Sequence, residues 1–137
     1  MGLKMVSETE HGISPAQRRV LDLFASCEGY NELSPSKVAQ SLMDNQHLWR
    51  SVMPNSDGGL GLFLRDLPGD YTHYDTLYIL TDKRRAVRLI ALAHTWSADE
   101  VGLVSKGDWA DKWLNLDLSL GHPGRANPNV ILRVWWD

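Results

Sequence analysis

Apolar residues recur at helical spacing in two adjoining stretches near the start of the chain. Val20, Leu21, Phe24 and Ala25 form one stripe; Val38, Ala39 and Leu42 form a shorter one. Each stretch opens on a serine followed by a proline, Ser14-Pro15 and Ser34-Pro35. Serine caps a helix by accepting from an early backbone N–H, and proline suits the first helical position because its missing N–H has no partner there. The spacing predicts helices over residues 15–28 and 35–43, each with one face to bury against the other.

Further along, Leu48, Trp49, Val52 and Met53 also have helical spacing and predict a third helix over about residues 44–53, ended by Pro54 and the turn formers after it. Leu60, Phe63, Leu64 and Leu67 predict a short helix closed by Pro68 and Gly69. Residues 76–93 read two ways. In one, Leu77–Thr81 and Ala86–Leu92 are the strands of a hairpin with Asp82, Lys83 and Arg84 at its tip. In the other, Thr81 or Asp82 caps a helix that buries Ala86, Leu89, Ile90 and Ala93. Three cations in the first turn would oppose the helix dipole, which favours the hairpin. Ser97 to Glu100 has the S-x-x-E pattern of a capping box and predicts a short helix.

Near the end, leucine occupies every even position from Leu114 to Leu120 with polar residues between, a strand with one buried face. Residues 121–128 read as a loop, and Val130–Trp136 as a second strand, apolar on both faces. The two are expected to pair as an antiparallel hairpin. The whole is read as one α+β domain over residues 13–137, after an N-terminal tail of residues 1–12; a chain of 137 residues, 43% hydrophobic, is long enough for one core.

The paired capped helices of residues 13–42 resemble the start of winged helix-turn-helix DNA-binding domains, and on a generous count the likeness extends to residue 93. The resemblance implies a transcription factor or DNA-binding accessory. It would place Ser36 and Lys37 near phosphate, Arg65 on a recognition helix and Lys83, Arg84 and Arg85 on a wing. The net charge of −3 argues against broad nucleic-acid affinity, but residues 14–93 balance at nine basic and nine acidic, and Lys83, Arg84, Arg85 and Arg88 put four cations into six residues.

Chemistry of other kinds has little support in the residues. Cys27 is the only cysteine, so an internal disulfide and a cysteine-rich zinc site are excluded, and it reads as a packing residue. The glycines at 58–61 lack the lysine and hydroxyl of a phosphate loop. The five histidines show no ligand spacing; His73 with Tyr74 and Asp75, and His122, are read as surface-loop residues. No enzyme activity, metal or cofactor is expected. The longest apolar run, Leu89–Ala93, is far short of a membrane span of about 20 residues, and the N-terminus lacks a signal-peptide core, so a soluble, cytoplasmic protein is expected.

Six tryptophans are many for this length, and Trp135 and Trp136 must point to opposite sides of a strand. One of them on an exposed face would give a self-complementary patch, so a homodimer or a protein partner is expected there. The alternative to DNA binding is therefore a non-enzymatic interaction or oligomerisation domain using tryptophan-rich apolar surfaces. A single basic face would favour DNA; dispersed charge with exposed apolar surface would favour protein.

Overall fold

The computed structural model describes residues 12–27, 29, 32–56, 61–104 and 129–137. Helix α1 is Pro15–Ser26 and α2 is Pro35–Asp44, both beginning at the expected prolines. The Ser14 hydroxyl accepts from the Gln17 backbone N–H at 3.1 Å and so caps α1. Ser34 makes no such side-chain bond; only its carbonyl joins the helix, accepting from Val38 at 3.0 Å. Leu21 and Phe24 of α1 pack with Val38, Ala39 and Leu42 of α2 in the core.

The expected third helix over 44–53 is not formed. A single 3-10 turn, Gln46–Leu48, follows α2, and the chain then extends as strand β1, Ser51–Asn55. Tertiary pairing overrides the helical spacing here: Trp49 turns back so that its Nε1–H donates to the Leu42 carbonyl at 2.9 Å, and Val52 lies opposite Ile79 of the next strand. Pro54 is tolerated because β1 lies at the edge of the sheet, where a missing N–H breaks no ladder bond.

Residues 76–93 form a strand and a helix, not a hairpin. Strand β2 is Thr76–Asp82 and helix α3 is Lys83–Ala93. What outweighs the adverse cations is Asp82, whose carboxylate accepts from the Arg85 N–H at 2.9 Å and sets a negative charge at the helix start. Burial of Ala86, Leu89 and Ala93 does the rest. After a 3-10 turn at His94–Trp96, Ser97 takes a left-handed conformation (φ 59°) and the chain enters strand β3, Glu100–Leu103, where a capped helix was expected.

The last strand, β4, is Asn129–Trp135, close to the expected span. It lies inside a four-stranded antiparallel sheet of order β1-β2-β4-β3. Its antiparallel partners are β2, with Ile79 opposite Leu132, and β3, with Val101 opposite Val134. The partner expected from sequence, Leu114–Leu120, lies outside the described residues. Because β2 and β3 both run against β4, they are parallel to each other with β4 between them, and α3 is the crossover that joins them.

Helices α1, α2 and α3 share one core with one face of the sheet. That face presents Val52, Leu77, Ile79, Leu132 and Val134, and the core continues into Trp49, Tyr74, Trp96 and Trp136. Burying a large apolar side chain contributes roughly 1.5–3 kcal/mol, so this contiguous cluster is the main stabilising element. The opposite face carries Met53, Tyr78, Leu80, Ile131, Arg133 and Trp135, the alternate residues of the same strands.

Candidate functional site

Among the described residues, 61–75, before β2, form the longest stretch outside α-helix and strand. The short helix expected from Leu60 to Leu67 is not there: Arg65 and Asp66 lie in a turn, and only Leu67–Gly69 is helical, as one 3-10 turn. Leu60 itself lies outside the described residues. Gly61 is the physical reason. It takes φ +77°, and a Cβ there would sit 2.6 Å from the Tyr74 ring, so the backbone passes where only glycine fits.

From Gly61 the turn is held by its own bonds. The His73 N–H donates to the Gly61 carbonyl at 2.9 Å and closes the stem. The Asp66 carboxylate is bonded by Arg65 Nε at 2.9 Å, Arg65 Nη2 at 3.1 Å, and His73 Nε2 at 2.8 Å. The Arg65 guanidinium, then His73, hold the Asp66 carboxyl down at about 2. His73 is framed by two rings, Phe63 edge-on at 5.3 Å and Tyr71 at 4.9 Å. Asp70 completes the turn in the left-handed region (φ 61°), which its short polar side chain tolerates.

The order inside this turn contrasts with what it shows to solvent. Leu62, Phe63, Leu64, Leu67 and Tyr71 are all exposed, Leu64 at 90%. They are five of the eight large hydrophobic residues exposed among those described. Isolated exposed leucines are ordinary on a protein surface; five within ten residues form a patch.

His73, Tyr74 and Asp75 are neighbours in sequence but are not a catalytic set. His73 meets Asp66, Tyr74 is buried against Phe24 at 6.2 Å, and Asp75 accepts from the Thr76 hydroxyl at 2.7 Å. Burial raises the Tyr74 hydroxyl and also the Cys27 thiol, which is half-buried against the core. No three His, Cys, Asp or Glu side chains gather as metal ligands among the described residues. His11 and His122 lie outside them. No described helix is long and apolar enough to cross a membrane.

The residues grouped by the winged-helix resemblance do not share one face. Ser36 and Lys37 are exposed at the start of α2. Arg65 is in the turn before β2, bonded to Asp66, and not on a recognition helix. Lys83, Arg84 and Arg85 follow the far end of β2, in the first turn of α3 and not on a wing. Seven residues of strand, roughly 23 Å, separate the last two groups.

Arg85 is half-exposed and lies 3.6 Å from Asp82, whereas Lys83, Arg84 and Arg88 are exposed and have no ion-pair partner among the described residues.

Of the two tryptophans expected at an interface, Trp136 is fully enclosed, its Nε1–H donating to the Trp96 carbonyl at 3.0 Å. It belongs to the core, as do Trp49 and Trp96, because it follows Leu132 and Val134 at alternate positions on the side of the chain that faces the core. Trp135 is half-buried on the other face, with the Arg133 guanidinium 5.8 Å from its ring centroid. Trp109 and Trp113 lie outside the described residues. Compared with protein-family models, curated proteins and solved structures, the chain matches none.

The patch at Leu62–Tyr71 escapes a reading of spacing alone, because three-and-four spacing is also that of a buried helical stripe. The signal is present in Pro68-Gly69-Asp70 and in Gly61, which together leave too few residues for a helix.

Proposed function

We propose that this chain is a non-enzymatic interaction domain whose docking element is the turn at Leu62–Tyr71. The observation that carries the reading is the combination of exposed apolar side chains with a backbone fixed by the Arg65–Asp66–His73 network. A surface ordered before it binds loses little conformational freedom on docking, so its apolar area converts more fully into affinity. Of the two tryptophans named for this role from sequence, Trp136 supports the core instead, and Trp135 is half-buried on the other face of the sheet; the turn is the larger exposed apolar surface. A photo-crosslinking residue at position 64, with Val87 as an exposed control, tests it: adducts with protein from source cells are expected at 64 and not at 87. Equal labelling at both, or none at 64, overturns it.

A second reading, nucleic-acid binding, is favoured by α3. The helix has four cations and no acid over eleven residues, and three of the four have no ion pair among the described residues. Such a face suits phosphate contact, which is independent of sequence, more than base readout.

A further inference from the structure

The exposed turn and a second apolar feature lie toward opposite ends of the molecule. Between the first half of α1 and the sheet runs a groove of about 360 Å³, lined by Ala16, Val20, Met53, Tyr78, Leu80 and Ile131. Leu80 lies five residues, roughly 17 Å of strand, beyond Asp75, where the segment carrying the turn enters β2. Leu64, nine-tenths exposed, therefore does not fill the groove of its own molecule.

Charge divides along the same axis. The register aligns Asn55, Thr76, Trp135 and Glu100 across one end of the sheet. Among the described residues of the strands and the segments joining them, Asp66, Asp70, Asp75, Asp99, Glu100 and Asp137 stand at that end and in the turn beyond it against Arg65 and Arg133. Among the described residues at the other end, where Ser51, Leu80 and Ile131 align, stand Arg50, Lys83, Arg84 and Arg85, with Arg88 one helical turn on, against Asp82 and Asp44. The apolar projection sits at the acidic end and the apolar groove opens toward the basic end. Surfaces of opposite charge steer each other together and set orientation.

We infer that the Leu62–Leu64 segment of one molecule docks in the groove between α1 and the sheet of a second copy, head to tail. The inference rests on the reading of Leu62–Tyr71 as a docking element and names its partner. The contact is heterologous, since a different surface is used on each copy, so it builds open chains rather than a closed pair.

Two variants at exposed positions divide the contact. Leu64→Asp removes the projection, and Ala16→Trp fills the groove. Sedimentation of the full-length protein is expected to show concentration-dependent species larger than a dimer, reduced between 50 and 500 mM salt as screening weakens the end charges. Each variant alone is expected to be monomeric with an unchanged melting temperature; Leu64→Ser serves if the aspartate variant does not fold. Mixed one to one, they are expected to give a dimer that grows no further, since one copy keeps its groove and the other its projection. A symmetric contact of turn on turn predicts instead that Ala16→Trp alone still dimerises, and that result overturns the inference. So does a wild-type protein that is monomeric at about 1 mM. If that monomer still forms Leu64 crosslinks to a foreign protein, only the choice of partner has failed; if it forms none, the docking reading has failed with it.

Discussion

Gln17 meets Val52 as a neighbouring strand would: its Nε2 donates to the Val52 carbonyl at 2.8 Å, and its Oε1 accepts from the Val52 N–H at 2.9 Å. A helix side chain thereby closes the outer side of edge strand β1. Alternate residues of a strand send both backbone groups to the same side, so Pro54 faces outward with Val52 and has no N–H to offer. Between them, Gln17 and Pro54 blunt an edge that could otherwise recruit a foreign strand.

Replacing Gln17 with Ala leaves both Val52 groups part-buried without a partner. The expected loss is about 1–3 kcal/mol in urea unfolding, with faster growth of thioflavin-positive aggregates from the bared edge. Gln17→Glu keeps the acceptor and lacks the donor, so it is expected to fall between the two. Equal stability of all three proteins would show that water satisfies the edge as well as Gln17 does.

Gly61 is expected to tolerate no side chain. Ala at φ +77° costs roughly 1–2 kcal/mol for the left-handed backbone, and its Cβ meets the Tyr74 ring at 2.6 Å and the His73 carbonyl at 2.7 Å. A total loss above about 2 kcal/mol is expected from Gly61→Ala. Gly69→Ala, where a Cβ meets nothing within 4 Å, is expected to change stability by less than about 0.5 kcal/mol. Similar values at both sites would contradict the tight passage of the turn over Tyr74.

The two adjacent tryptophans are expected to behave unlike each other. Trp136→Ala should cost roughly 3–5 kcal/mol, because it empties a fully buried site and strands the Trp96 carbonyl. Trp135→Ala, at a half-buried position on the opposite face, should cost less. Urea midpoints measured at constant slope give the comparison directly. A larger loss at Trp135 would contradict the placement of Trp136, and not Trp135, in the core.

Acid should loosen the turn late. With its carboxyl held at about 2 by Arg65 and His73, against an ordinary 3.8, Asp66 favours the folded state by an amount fully present above about pH 5. That contribution declines as pH falls below the ordinary value and is gone once pH passes below the folded one. The stability difference between wild type and Asp66→Asn is therefore expected to shrink from pH 5 toward pH 2. A difference that stays constant over that range would show that the carboxylate charge is not what Arg65 and His73 stabilise.

Legibility in the sequence follows how local the determining interactions are. Helices α1 and α2 are legible because Ser-Pro starts and apolar stripes act within one element, and β4 because its length and β-branched residues leave little else. Strand β1 is not, since Val52, Met53 and Pro54 extend only because β2 and Gln17 take their backbone groups. Lys83–Arg85 point away from a helix unless Asp82 is known to cap it. The same limit applies to function. Alternation places Trp135 and Trp136 on opposite sides of the chain, but which side is solvent depends on β2 and β3, far earlier in the chain. Five exposed apolar residues of one turn have the spacing of a buried face.

Should α3 bind nucleic acid, the pairing of its cations decides which of them matter. Arg85 lies beside Asp82, so its charge is partly answered within the protein, while Lys83, Arg84 and Arg88 are available to replace counterions on a phosphate backbone. Changing those three to Ala is expected to weaken binding on every sequence alike and to lower the salt slope by roughly one for each phosphate left unneutralised. Arg85→Ala should lower that slope less, because its guanidinium already has a carboxylate. Arg65→Ala should leave binding unchanged, since Arg65 stands at the other end of β2 and is held by Asp66. Fluorescence anisotropy with mixed-sequence duplexes from 50 to 200 mM salt measures all three. An unaltered protein that fails to bind at 50 mM, where counterion release helps most, would remove nucleic acid from consideration and leave the cations of α3 to the basic end of a protein contact.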